Sequence, residues 1–379
     1  MEIIDQIPVS KTLEINAVAT KLKNKGKDVI NLTAGEPDFP TPEKIKEKAK
    51  EALEKDFTKY TNSKGIVQLR ETISKLLEKK NIFFDSNEIL VTNGGKQALF
   101  NALLSVLDKD DEIILFSPFW VSYIPMVLLT GAKPVVLETK FENSFLPDLD
   151  ELIKLVNPKT KAILVNSPNN PTGIVYPEEI VRKISEIANE NEIFVLTDEV
   201  YDSLVYDGNF VSFANFVKDE LLIYINAFSK SYSMTGWRLG FAALKNKLIY
   251  NRMTKLQGHT TSSVNSIAQY AATVSILVDN SYMIREFKKR RDFTVKKAKE
   301  IGLDFVYPKG TFYLFFKSPI EDDELFCKNL LEEKLVALVP GSAFNAKGFV
   351  RLSFANSMEK LDKGFKRIKE FILKKLAGF

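Results

Sequence analysis

The segment EIFVLTDEVY, residues 192–201, ends a continuous apolar run with an acidic residue, Asp198. Residues 193–196 carry no polar side chain, which indicates a strand covered on both faces, as in a mainly parallel α/β sheet. A carboxylate at the buried end of such a strand is costly unless it meets a cation. The segment therefore predicts a fold class and a positively charged group beside Asp198.

The same organisation extends from about residue 88 to residue 245, where short apolar runs alternate with helical patterns such as KQALFNALLSVL (96–107). With residues 192–201, six further runs are candidate strands: EILVTNGG (88–95), DEIILFSPFW (111–120), KPVVLET (133–139), KAILVNSPNNPTG (161–173), LLIYINAFSK (221–230) and RLGFAAL (238–244). We therefore predict an α/β fold whose large domain holds a mainly parallel, seven-stranded sheet.

The pattern changes after about residue 280, where helical and strand-like stretches mix. The stretches are FKKRRDFTVKKAKEIG (287–302), GTFYLFF (310–316), GFVRLSFA (348–355) and EKLDKGFKRIKEFILKKL (359–376). They predict a smaller α+β domain. We divide the chain into an N-terminal arm and part of the small domain (1–39), a large ligand-binding domain (40–279) and a C-terminal small domain (280–379).

Composition excludes several classes of function. The 379 residues carry a nearly balanced net charge of +4, and the basic run KKRRD (288–292) lacks interleaved aromatics, so we expect no nucleic-acid partner. A single cysteine, Cys327, and a single histidine, His259, argue against a disulfide framework, a metal site and Ser-His-Asp hydrolysis. We expect Cys327 to be a buried, inert thiol. No secretory or membrane-spanning segment is apparent, which predicts a cytoplasmic protein.

Unusual residues follow five of the predicted strands, at the edge of a parallel sheet where ligands bind. They are Gly94-Gly95-Lys96, Trp120, Asn170, Asp198 with Tyr201, and Ser229-Lys230. Two glycines at a strand-to-helix turn free backbone N–H groups for a phosphate, to which Arg238 and Ser229 can add donors. Neither a Walker loop nor a GxGxxG fingerprint occurs, so a single phosphate monoester is the economical interpretation.

The remaining residues suit a planar ring. Trp120 offers a flat surface, Asn170 and Tyr201 offer hydrogen bonds to an oxygen, and Lys230 offers an amine able to form a Schiff base. Asp198 requires a cation, which a pyridinium nitrogen supplies. Pyridoxal 5′-phosphate (PLP) combines that nitrogen with a phenolic oxygen, an aldehyde and a phosphate, and so satisfies all of these groups.

Six motifs together resemble the class I aminotransferases of PLP-dependent fold type I, and are most similar to bacterial aspartate aminotransferases of the I-gamma subgroup. In chain order they are NLTAGEPDFPTP (31–42), TNGGKQALFNA (92–102), NSPNNPTG (166–173), TDEVYDSLVY (197–206), SKSYSMTGWRLG (229–240) and VRLSFA (350–355). The resemblance extends over nearly the whole chain. It implies the PLP-dependent transferase fold type I.

The resemblance also implies roles for matching residues. Lys230 would form the Schiff base and move a proton, Asp198 would keep the ring nitrogen protonated, and Tyr201 with Asn170 would bind the phenolic oxygen while Trp120 stacks on the ring. The implied phosphate ligands are the backbone of Gly95 and Lys96, the side chains of Ser229 and Arg238, and Tyr60 of a neighbouring subunit. The implied substrate ligands are Arg351 for the α-carboxylate, with Gly35, Asn170 and Trp120 beside it, and Lys96 for a distal carboxylate, helped by Ser10 and Thr12.

The implied activity is amino transfer between L-aspartate and 2-oxoglutarate in a PLP/pyridoxamine phosphate ping-pong cycle, carried out by a homodimer. Prephenate or aromatic amino acid aminotransferase activity is the alternative within the same fold, and a C–S lyase would share every cofactor residue. A PLP-sensing transcription regulator would need an N-terminal DNA-binding domain, for which residues 1–31 are too short. The preferred amino donor is left open by the sequence.

Overall fold

Three β-sheets organise the structure, a computed structural model that describes residues 2–5, 7 and 9–376. The strands are β1 (Ile30–Asn31), β2 (Ile89–Thr92), β3 (Glu112–Ser117), β4 (Lys133–Glu138), β5 (Thr160–Asn166), β6 (Phe194–Asp198), β7 (Leu222–Ala227), β8 (Gly240–Ala243), β9 (Phe305–Val306), β10 (Tyr313–Lys317), β11 (Val336–Ala337), β12 (Val339–Pro340) and β13 (Phe349–Ser353). All seven strands predicted between residues 88 and 245 are present.

Helices surround these sheets. They are α1 (Glu2–Asp5), α2 (Lys11–Asn24), α3 (Glu43–Glu54), α4 (Val67–Glu78), α5 (Gly95–Val106), α6 (Tyr123–Leu128), α7 (Leu149–Leu155), α8 (Glu178–Glu190), α9 (Phe228–Ser231), α10 (Lys247–Thr260), α11 (Ser266–Ala272), α12 (Ser281–Glu300), α13 (Asp323–Lys334) and α14 (Met358–Leu376). Helix α12 begins six residues before the charged stretch that predicted it. In the described part of the chain, no helix combines the length and the apolar character needed to cross a membrane.

The large sheet has the strand order β2-β8-β7-β6-β5-β3-β4. Its strands run parallel except β8, which pairs antiparallel with both β2 and β7. The central strands β5, β6 and β7 are buried almost throughout, because helices and loops cover both faces of the sheet. The predicted mainly parallel, seven-stranded sheet is confirmed. The carboxyl ends of β2, β3, β5, β6 and β7 lie at one edge.

The C-terminal part forms a second sheet, in the order β12-β13-β10-β9. Near it, β1 pairs in parallel with β11, so the N-terminal segment is joined to residues close to the C-terminus. The three-part domain division stays a prediction, and its outer bounds, Met1 and Phe379, lie outside the described residues.

Cys327 and the basic run 288–292, both noted in the sequence, have ordinary structural roles. Cys327 is buried, as predicted, in an apolar cluster that includes Phe326 and Leu330, and burial raises the pKa of its thiol well above the usual range. In the basic run, Arg291 is 1% exposed and its guanidinium contacts Asp207 and Asp292. Acidic side chains of the same chain therefore neutralise part of this charge.

Candidate active site

A cavity of about 480 Å³ opens at the carboxyl ends of the large sheet. Thirteen residues proposed from the sequence line it: Ser10, Thr12, Gly35, Gly95, Lys96, Trp120, Asn170, Asp198, Tyr201, Ser229, Lys230, Arg238 and Arg351. Tyr60 is not among them; it is 89% exposed on the loop between α3 and α4. Its predicted service to a neighbouring subunit stays a prediction.

One corner of the cavity brings together groups that suit a compact anion. Gly94 precedes α5 with a φ of +82°, and a Cβ there would lie 2.7 Å from Nη2 of Arg238. A side chain at this position would be strained and would also collide with the guanidinium. The arrangement aims the first N–H groups of α5 and the charge of Arg238 at the same space, beside the buried Ser229.

Lys230 follows β7 directly, on the short helix α9. Its Nζ donates a hydrogen bond to the carbonyl oxygen of Gly35 and lies 5.6 Å from the ring centroid of Tyr201. Burial lowers the pKa of this amine to about 8, although the nearby Glu36 carboxylate opposes the shift. A sizeable neutral fraction is therefore available near neutral pH, as a nucleophilic lysine requires.

Asp198 ends β6 and is buried. Burial raises the pKa of its carboxyl to about 6, while a hydrogen bond from Tyr123 counteracts the rise. The phenol of Tyr123 donates to Oδ2 of Asp198 at 2.7 Å. Asn166 holds the backbone of the same residue, since its Nδ2 donates to the Asp198 carbonyl oxygen at 2.8 Å. Tyr123 thus holds the carboxylate and Asn166 holds the backbone of the same residue, which lines the cavity.

Arg351, on β13, is 2% exposed, and it faces no carboxylate within hydrogen-bonding distance among the described residues. Its Nη1 donates to Oδ1 of Asn170 at 2.8 Å and its Nη2 to the carbonyl oxygen of Thr33 at 2.9 Å, whereas Nε has no hydrogen-bond partner in the described part of the chain. The rings of Tyr313 and Phe344 flank the guanidinium at 4.3 and 4.7 Å. A buried cation so arranged favours an anionic ligand.

Lys96 occupies the second position of α5. Its Nζ lies 4.7 Å from the ring centroid of Trp120 and donates to Oγ of Ser122 at 3.2 Å. Burial lowers the pKa of this amine, and the positive charge of Arg238 lowers it further. The cavity is therefore lined by four cationic side chains, Lys96, Lys230, Arg238 and Arg351, and by two carboxylates, Glu36 and Asp198. The resulting excess of positive charge suits a ligand with several negative charges.

Ten further residues line the cavity, and they include Glu36, Asn166, Tyr123 and Tyr313, which the sequence analysis did not single out. The hydroxyl of Tyr313 lies 3.0 Å from that of Tyr201, in a residue pair 112 positions apart in the chain. Glu36 and Asn166 lie inside two of the six motifs, and Tyr313 lies in a stretch predicted to be a strand. The sequence therefore places these residues in recognisable segments, but it does not show what their side chains contact.

Comparison with known proteins yields concordant matches. A family model described as "Aminotransferase class I and II" matches residues 27–368. The chain is 51% identical to an aspartate aminotransferase of Thermotoga maritima, over 97% of this chain and 98% of that protein. It is 42% identical to a probable aspartate/prephenate aminotransferase of Aquifex aeolicus, over 97% of each chain. A crystal structure of the Thermotoga maritima aspartate aminotransferase superposes with a TM-score of 0.95 at 50% identity, covering 98% of this chain and 100% of that one.

Proposed function

The chain belongs to the class I and II aminotransferase family, and we propose that it transfers an amino group between L-aspartate and 2-oxoglutarate with PLP as cofactor. One observation carries the choice of substrate: two cations, Lys96 and Arg351, line the same cavity as the amine of Lys230. Both aspartate and 2-oxoglutarate carry two carboxylates, so each carboxylate would have a cationic partner.

The residues present fit PLP. The phosphate would lie against Gly95, Ser229 and Arg238, which line the cavity together. The buried Asp198 carboxylate, with its raised pKa, lacks a cationic hydrogen-bond partner among the described residues and suits a protonated ring nitrogen. Trp120 offers a ring face, and the amine of Lys230 would hold the aldehyde carbon covalently.

When bound, PLP supplies an electron-withdrawing ring that makes the Cα proton of an amino acid acidic. The residues of this chain orient the substrate and move that proton. Arg351 would grip the α-carboxylate through two N–H groups of its guanidinium, while Asn170 and Thr33 hold that group in place. Lys230, with a pKa of about 8, would accept the Cα proton as a neutral amine and return it as an ammonium group. Tyr201, whose phenol remains protonated, would donate a hydrogen bond to the ring oxygen.

Lys96 would select dicarboxylic substrates. Its ammonium group lies over Trp120 and beside Ser122, and the hydroxyls of Ser10 and Thr12 line the same cavity. The pKa of this amine is lowered, and a carboxylate ligand would favour its charged form. An uncharged side chain in the same place would leave this cation unpaired.

A single-turnover experiment tests the proposal. The PLP-loaded protein is mixed with one amino acid at a time, without an oxo acid, and the loss of the cofactor's visible absorbance is followed. Aspartate and glutamate should react fastest, and 2-oxoglutarate should restore the original spectrum. A protein that takes up no PLP, or one that reacts equally with alanine and aspartate, would contradict the proposal.

Prephenate or aromatic amino acid transfer is the second candidate. Leu13 and Trp120 give the cavity an apolar wall, and the Aquifex aeolicus relative is named for both aspartate and prephenate. With aspartate as the donor, prephenate should compete with 2-oxoglutarate as acceptor if this activity is present. Unchanged 2-oxoglutarate turnover at saturating prephenate would exclude it.

We also propose that the active unit is a homodimer. The support is Tyr60, which lies outside the cavity of its own chain and exposes 89% of its surface. The family resemblance implies that such a tyrosine binds the cofactor phosphate of a second copy, and Tyr60 lies outside the cavity of its own chain as that role requires. Light scattering should give twice the 43.0 kDa chain mass at assay concentration, and an active monomer would contradict the proposal.

A further inference from the structure

The two oxygens of the Asp198 carboxylate have different surroundings. Oδ2 accepts a short hydrogen bond of 2.7 Å from the phenol of Tyr123. Oδ1 is 3.4 Å from the backbone nitrogen of Val200, near the outer limit for a hydrogen bond. One oxygen is therefore firmly bonded, whereas the other keeps most of its capacity to accept a donor.

The tyrosine that makes the short bond is itself held rigidly. Tyr123 begins α6 and is 2% exposed. Its ring packs edge-on against Trp120, with centroids 5.6 Å apart and an interplanar angle of 86°. One short segment thus carries both the proposed stacking surface for the cofactor and the donor to Asp198. Burial and this packing restrict where the phenol oxygen can lie.

We propose that Tyr123 is a positioning residue, which holds Oδ2 of Asp198 so that Oδ1 is presented to a protonated ring nitrogen. This inference rests on the proposed function, because it assumes a pyridine cofactor. The neutral phenol is suited to the task, since it donates a hydrogen bond to the carboxylate without competing with the ring nitrogen as a cation would.

The electrostatics support this assignment. The titratable groups that face Asp198 are Tyr123 on α6, Lys230 on α9 and Tyr201 on the loop after β6. Burial keeps the phenol pKa values of both tyrosines well above the ordinary range, so they remain protonated. A hydrogen bond to the charged form of a carboxyl changes its ionisation equilibrium by a factor of about 10 to 100. Without the Tyr123 hydroxyl, Asp198 would therefore take up a proton at a higher pH.

The test measures cofactor binding, without turnover. Tyr123→Phe keeps the ring against Trp120 and removes the hydroxyl alone. The matched control is Tyr250→Phe, a buried tyrosine outside the cavity whose hydroxyl donates to the carbonyl oxygen of Ile89 at 3.2 Å. The apoproteins are titrated with PLP and with 1-deaza-PLP, which lacks the ring nitrogen, at pH 6.5 and pH 8.5. Binding is followed by protein fluorescence.

For Tyr123→Phe we expect the PLP dissociation constant to rise about 10-fold at pH 6.5, where the uncomplexed Asp198 becomes protonated, and less than about threefold at pH 8.5. Affinity for 1-deaza-PLP should not fall, and the control should match the wild type throughout. Equal losses of affinity for PLP and 1-deaza-PLP at both pH values would assign Tyr123 a merely structural role. That result would overturn this inference and leave the proposed function untouched. A wild-type protein that binds no PLP would instead overturn the proposed function and this inference with it.

A second variant, which removes the carboxylate, tests whether the tyrosine acts through Asp198. Asp198→Asn should lose affinity for PLP and keep its affinity for 1-deaza-PLP. In the double variant, Tyr123→Phe should then cost no further PLP affinity, because the tyrosine acts through the carboxylate. An additive loss in the double variant would overturn the inference.

Discussion

Glu199, the neighbour of the site carboxylate Asp198, allows a quantitative prediction about stability. Its side chain is fully buried, and its Oε1 accepts hydrogen bonds from Oγ1 of Thr197, from Oγ of Ser212 and from the backbone nitrogen of Phe213. Its Oε2 has no hydrogen-bond partner among the described residues. Burial raises the pKa of this carboxyl from 4.5 to about 8. The folded protein therefore holds Glu199 as a neutral acid at pH 7.

The sign and size of the effect follow from proton linkage. Below pH 4.5 the carboxyl is protonated in both states, whereas between pH 4.5 and 8 it ionises in the unfolded chain alone. Each unit of pH across this window lowers the free energy of unfolding by about 1.4 kcal/mol. Glu199→Gln preserves the acceptor oxygen and cannot ionise. The variant should therefore be more stable by about 3 kcal/mol at pH 7, and by about 5 kcal/mol at pH 8 and above.

The assay is urea unfolding of the apoproteins at pH 5, 7 and 8.5. Protein concentration is held constant, because cofactor and subunit binding both shift apparent stability. The control is Glu47→Gln, on an exposed position of α3. We expect the difference in the free energy of unfolding between Glu199→Gln and the wild type to increase with pH, whereas the difference between the control and the wild type should not change. A gap that is constant, or one that narrows as pH rises, would refute the reasoning.

Three further variants test the proposed site. Lys96→Ala should lower kcat/KM for aspartate by about 10- to 100-fold in steady-state assays, because a charged hydrogen bond to the distal carboxylate is lost; an equal loss with phenylalanine would show that Lys96 serves the cofactor instead. Lys230→Ala should still bind PLP, because the proposed phosphate site at Gly95 and Arg238 remains, but transamination should fall by orders of magnitude. PLP binding is measured by ultrafiltration, and its loss would contradict this prediction. Tyr60→Phe should speed PLP dissociation without abolishing borohydride fixation of the cofactor to Lys230, and unchanged retention would argue against the subunit-bridging role.

Much of the fold was predictable from local patterns. Continuous apolar runs such as residues 193–196 are compatible with burial on both faces, and helical periodicity between them requires parallel crossovers. Because the carboxyl ends of parallel strands meet at one edge, the residues after β2, β5, β6 and β7 could be placed together before their contacts were known. Lys96, Asp198 and Lys230 were identified in this way, and all three line the cavity.

Tertiary structure alone decided which side chains modify these groups. The bond between Tyr123 and Asp198 joins residues 75 positions apart, and the contact between Tyr201 and Tyr313 joins residues 112 apart. No periodicity or spacing encodes such pairs, since they depend on how α6 and β10 pack against the strand ends. The same holds for the pKa values near 6 for Asp198 and near 8 for Glu199, two adjacent carboxyls. Their difference arises from burial and from the donors that the fold brings to each, because desolvation and hydrogen bonding act through space and not along the chain.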